Sequence, residues 1–208
     1  MKKCFYLLAS MVFLVASSGF AQLTTTKVPI NQLPKDIKYS GKVKEAIKFS
    51  DKAGEQLVII TETGEYVDKK LKHENDGRDA EVYAYLFQLT GGTVKQSWRI
   101  YDFIHDCEVD LAASFVKNTL QVTDLDKNGI AEVWVMYTTV CHGDVSPMEM
   151  KVIMYQGAQK YAMRGETRVK ASETETYGGD YKFDPAFVKA PKVIRDFAMK
   201  LWKEHVDE

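Results

Sequence analysis

From position 43 to position 164, short apolar or alternating runs are separated by turn residues at regular spacing, the pattern of antiparallel strands. Val43 to Phe49 alternates partly, with Val43, Ile47 and Phe49 assigned to one face. Ser50-Asp51-Lys52-Ala53-Gly54 turns it into Gln56–Thr61, whose Leu57-Val58-Ile59-Ile60 predicts a strand buried on both faces. Val82–Leu89 places Tyr83, Tyr85, Phe87 and Leu89 on one face. Thr90-Gly91-Gly92-Thr93 returns it to Val94–Phe103 as a hairpin. Phe115–Thr123 and Glu132–Thr139 read as two further strands, and Met150–Tyr155 and Lys160–Arg164 as a hairpin about Gln156-Gly157.

Two stretches lack this alternation. Residues 68–79 are charged, include Asn75-Asp76-Gly77 and predict a solvated loop; residues 171–180 are rich in Glu, Thr and Gly and read as irregular. The period changes at the end of the chain. Asp184-Pro185 is a helix start, and Ile194, Phe197, Leu201 and Trp202 recur at helical spacing with charges between them. The expected fold is mainly β (α+β): an antiparallel sheet or sandwich of hairpins over 43–208, closed by an amphipathic helix at about 185–206.

The first residues predict export. Lys2 and Lys3 precede an apolar stretch from Phe5 to Ala16, and small residues surround Ser17-Ser18-Gly19-Phe20-Ala21, so residues 1–21 read as a signal peptide. The apolar stretch is short for a membrane span, and no later segment is long and apolar enough to be one. Residues 22–42 read as an extended arm. Of 208 residues, 28 are Lys or Arg and 29 Asp or Glu; loss of the leader takes the net charge from −1 to −3. This offers no basic field for nucleic acid or anionic lipid. The expected location is periplasm, cell surface or outside the cell.

Asp124-Leu125-Asp126-Lys127-Asn128-Gly129-Ile130-Ala131-Glu132 is the most specific motif. Side-chain oxygens stand at its positions 1, 3, 5 and 9, with glycine at 6. Ca²⁺ takes six to eight hard oxygens at about 2.3–2.6 Å, and alternate residues of a tight loop converge on one point. The metal-ligand set is Asp124, Asp126, Asn128, the carbonyl of Ile130 and Glu132. A plain hairpin turn is the competing reading, because Asn and Gly both tolerate positive φ. The motif is similar to the Asp-x-Asp-x-Asn-Gly-x-x-Glu calcium loop of EF-hand-like and integrin-type (FG-GAP) repeats. Val135 stands where an EF-hand has its bidentate Glu, and the flanks read as strands, which favours the integrin-type form.

Cys107 and Cys141 bracket this loop, and a disulfide is the first reading for an exported chain. Free thiols come second, and a metal set of His105, Cys107, Cys141 and His142 third. A bridge would bring His105-Asp106 near His142-Gly143-Asp144, a combination capable of acid–base chemistry. No nucleophile elbow accompanies it, so no residue is assigned as catalytic. Asp124–Tyr137 with the following Thr139-Val140-Cys141-His142-Gly143-Asp144-Val145-Ser146-Pro147 resembles a family of small exported bacterial proteins labelled as surface-polysaccharide biosynthesis proteins. That resemblance implies an envelope location and a link to surface glycan, and it carries no catalytic residues. The expected function is a calcium-stabilised, non-enzymatic envelope module that binds glycan or a protein partner. The alternative is a carbohydrate-active or other hydrolase built on His105, Asp106, His142 and Asp144. The two differ in geometry: a hydrolase needs His142 and an acid converging in an open pocket, a binding module a shallow face with exposed Tyr or Trp.

Overall fold

A computed structural model describes residues 23–207, so the predicted leader lies outside the described residues. The alternating segments form β1 (Thr24–Lys27), β2 (Lys42–Asp51), β3 (Gly54–Glu62), β4 (Arg78–Thr90) and β5 (Thr93–Cys107), an antiparallel meander whose spatial order is its chain order. The second sheet is built from β6 (Leu111–Phe115), β7 (Gln121–Thr123), β8 (Glu132–Cys141), β9 (Glu149–Gln156), β10 (Gln159–Glu166) and β13 (Tyr181–Phe183). Its order is β13-β10-β9-β8-β6, with β7 paired to the start of β8. A ribbon of β11 (Arg168–Lys170) and β12 (Thr176–Gly178) and the helices α1 (Pro185–Lys189) and α2 (Lys192–His205) complete it. The protein is mainly β, with antiparallel sheets and a short C-terminal helix.

The two sheets share one core, in which Ile47, Val58, Ile60, Leu86 and Ile100 meet Val133, Val135, Tyr137 and Ile153. Alternate residues of β8 and β9 point the other way, so Trp134, Met136 and Met154 pack under Ile194, Leu201 and Trp202 of α2. On the outer face of the first sheet, Leu57, Ile59, Tyr83, Tyr85 and Phe87 lie beneath Ile37, Val28 and Leu33 of the N-terminal arm. This accounts for the continuous apolar run in β3, which is covered on both faces. The β4–β5 turn needs positive φ at Gly91 (56°) and Gly92 (81°), the twist that suits a two-residue hairpin.

Five expectations are corrected. Val43 does not share a face with Ile47 and Phe49, because a bulge between Val43 and Glu45 flips the alternation. The expected strand 115–123 is broken: Asn118 takes a φ of 62°, and the Thr119 hydroxyl donates to the Val116 carbonyl at 2.7 Å. Residues 171–180 contain one strand of a small ribbon. The expected helix 185–206 is two helices, because Pro191 excludes its predecessor Ala190 from helical backbone (ψ 155°). The charged stretch 68–79 ends in Asp79, which belongs to β4 and is buried. Asp184 caps α1 as expected, its Oδ1 accepting from the Phe187 N–H at 2.7 Å.

Candidate functional site

The 124–132 loop joins β7 to β8. Gly129 sits at φ 83°, a backbone conformation that strains any other residue, while the end of the Lys52 side chain that a Cβ would meet is flexible enough to move. Asp124, Asp126 and Glu132 each bring a carboxylate oxygen within 4.8 Å of the others. Asp124 accepts from the Gly129 N–H at 3.1 Å, and Asp126 from the Asn128 N–H at 3.2 Å. Asn128 lies at the exposed rim, and its Oδ1 accepts from the Ile130 N–H at 2.7 Å.

Glu132 is fully buried, its oxygens accepting from the Leu125 N–H at 2.9 Å and the Thr123 hydroxyl at 2.7 Å. Burial pushes its carboxyl up from the ordinary range, and the Asp126 charge adds to this against the pull of those hydrogen bonds. Gln156, the cross-strand partner of Glu132 on β9, was not foreseen. Its amide Nε2 donates to Asp126 Oδ2 at 3.1 Å, Glu132 Oε1 at 3.3 Å and the Ile130 carbonyl at 3.4 Å. Three members of the predicted ligand set therefore converge on one positive dipole. Acidic oxygens gathered in this way are of the kind that can hold a metal ion. The loop is also tied to the β2–β3 turn: Asp51 accepts from the Ala131 N–H, and the Gly129 carbonyl from the Lys52 N–H, both at 2.9 Å.

Cys107 and Cys141 form a disulfide, and so hold neither free thiols nor a shared metal. The histidines they carry nearby do not join one site. His142 Nδ1 lies 3.2 Å from the exposed carboxylate of Asp144, a residue of its own turn. His105 turns instead to Asp79, with Nδ1 at 2.5 Å from Oδ1, while His73 Nε2 lies 2.7 Å from Oδ2. Asp106 accepts from the Glu74 N–H and holds the loop before β4. A groove of about 620 Å³ lies between Lys151, Arg164, Tyr181 and Lys182; none of His105, Asp106, His142 or Asp144 lines it.

The outward residues of β5 and β4 build a second surface. Tyr101 and Phe103 are 42% and 50% exposed, their rings 5.2 Å apart and within 16° of parallel. Tyr83 continues the row, 4.9 Å from Tyr101. Glu81 accepts from the hydroxyls of Tyr83 at 2.7 Å and Tyr101 at 2.9 Å, and the Arg99 guanidinium lies 5.5 Å from the Tyr101 ring centre. Burial and the bond to Glu81 push the Tyr101 phenol up to about 12, so it stays a neutral donor. Alternation signals that these rings share a face; where the arm ceases to cover that face has no local signal. The chain matches no family model, no curated protein and no solved structure. No helix among the described residues is long and apolar enough to cross a membrane.

Proposed function

We propose that this chain is an exported, non-enzymatic envelope module that binds surface glycan on the outer face of its first sheet and is stabilised by calcium in the 124–132 loop. The observation that carries the reading is the exposed, near-parallel pair Tyr101 and Phe103. Sugar rings present apolar C–H faces rimmed by hydroxyls. Because the rings stack on one another, they offer ring edges and the outer face of Phe103; this apolar strip beside a carboxylate and a guanidinium is a surface that a sugar can meet. The hydrolase alternative lacks such support, since His105 is engaged with Asp79 and His142 with an exposed acid of its own turn. The resemblance to surface-polysaccharide proteins agrees with the glycan reading.

Binding of the protein to an array of bacterial surface oligosaccharides tests it. Tyr101→Ala with Phe103→Ala is expected to abolish binding of whichever oligosaccharides the wild type retains, with an unchanged circular dichroism spectrum. Retention of none, or equal retention by the double variant, refutes the reading. Calcium has its own test in thermal unfolding, comparing EDTA with millimolar Ca²⁺. One site at a hundredfold excess over its dissociation constant adds about 2.7 kcal/mol, a rise of several degrees. Asp126→Ala is expected to remove that rise; a wild type insensitive to Ca²⁺ makes the loop a plain turn.

A further inference from the structure

We infer that His73, Asp79 and His105 form a binding site for a divalent transition-metal ion of the zinc class, separate from the oxygen-rich loop and independent of the glycan reading. Three separate segments supply its donors: the loop before β4, the second residue of β4 and the end of β5. One nitrogen of each histidine and a carboxylate oxygen of Asp79 all lie within 4.8 Å of one another. Two imidazoles with one carboxylate are the donor set that zinc and its neighbours prefer. Calcium is disfavoured by the nitrogens.

The site is built before any ion arrives. A register shift between Arg78 and Ala80 leaves Asp79 facing both His105 and Asp106, and Asp106 takes the left-handed conformation (φ 55°) that accommodates the extra residue. This bulge aims the His105 ring and the Asp106 N–H at the same carboxylate, the N–H at 3.2 Å. The Asp68 N–H donates to its other oxygen at 2.8 Å. Asp79 is 2% exposed, and its two oxygens are held by the Asp68 and Asp106 N–H groups and by both imidazoles. The carboxylate is thus fixed from behind by backbone donors, as metal-binding carboxylates are by their outer partners.

The His73 side chain is 9% exposed and that of His105 34%, so the cluster is closed on one side and open on the other. An ion enters past His105, and water takes the remaining position. Ligands at about 2.0 Å around a tetrahedral ion stand about 3.3 Å apart. The present nitrogen–oxygen separations of 2.5 and 2.7 Å would widen by under 1 Å, within the reach of small ring rotations. The ion would take the place of the two hydrogen-bonding protons, each imidazole carrying its proton on the outer nitrogen.

The test uses tag-free protein expressed from the full sequence, stripped with a chelator and dialysed. Zn²⁺ is titrated calorimetrically in the presence of millimolar Ca²⁺, and Co²⁺ is followed by visible absorption. One Zn²⁺ per chain with a micromolar or tighter dissociation constant is expected, together with the intense bands of tetrahedral Co²⁺. His105→Gln and His73→Gln should each abolish both signals, and Asp126→Ala should leave both intact. No zinc heat and no cobalt bands in the folded wild type overturn the site. So does binding that survives both histidine variants or disappears with Asp126→Ala. Should a histidine variant fail to fold, protection of wild-type His73 and His105 from diethyl pyrocarbonate by Zn²⁺ decides: protection of both supports the site, and of neither overturns it.

Discussion

Trp134→Ala is expected to lower stability by about 3–5 kcal/mol, the usual cost of deleting a large buried aromatic, and to drop the melting temperature by about 6–20 °C for a chain of this size. The indole has no exposed surface and lies 4.7 Å from the Phe197 ring and 6.2 Å from that of Phe187, between β8 and the helices that cover it. Its removal leaves a cavity that two rigid layers cannot close. The indole N–H also donates to the Thr123 hydroxyl at 2.8 Å, and that hydroxyl donates to Glu132 at 2.7 Å. The core is thus wired to the acidic loop. Trp134→Phe keeps most of the ring and breaks the wire, so it should cost only about 1–2 kcal/mol. Thermal or urea unfolding of both variants checks this. Equal losses would show that the hydrogen-bond chain, and not the packing, dominates.

Removal of the disulfide, by Cys107→Ala with Cys141→Ala, is expected to cost about 4 kcal/mol on the chain-entropy estimate for a bridge of its span. The two cysteines are separated by 34 residues. The bridge joins the last residue of β5 to the last residue of β8, one strand from each sheet. A reductant should shift wild-type unfolding by about the same amount and leave the double variant unmoved. A reductant effect that persists in the double variant would mean that the shift comes from elsewhere. The bridge also sits next to Asp106, which accepts from the Glu74 N–H, so its loss should loosen the 63–77 loop in hydrogen exchange before it affects the 124–132 loop.

The parts of the fold visible in the sequence are those decided by local patterning. β3 was readable because Leu57 and Ile59 face one layer while Val58 and Ile60 face the other. β4 was readable because its aromatics recur at every second residue. The break at Asn118 had a local signal, the polar Lys117-Asn118-Thr119 with an asparagine that tolerates positive φ, but it was outweighed by the apolar residues on either side, Phe115-Val116 and Leu120. At the loop, spacing located Asp124, Asp126 and Glu132. It could not show that Gln156 supplies an amide, because the pairing of Gln156 with Glu132 exists only once β8 and β9 are in register. In the sequence Asp79 looks like one more solvated charge at the end of a charged stretch. Its burial depends on His73 and on His105, which lies 26 residues away, and on a bulge that periodicity does not reveal.

β8 is fastened to the opposite sheet at both ends. At its start, Ala131 and Gly129 hold Asp51 and Lys52; at its finish, Cys141 is bonded to Cys107. These points stand about 30 Å apart, at about 3.3 Å for each residue along the strand. Sheets joined by side chains alone can slide across one another, but two rivets that far apart stop both sliding and rotation. Cutting one rivet turns the other into a hinge. Reduction should loosen the His142 end only in part, because residues 108–110 still tie β5 to β6 there and Leu111 of β6 pairs with Cys141, whereas severing Asp51 from Ala131 should loosen the opposite end more.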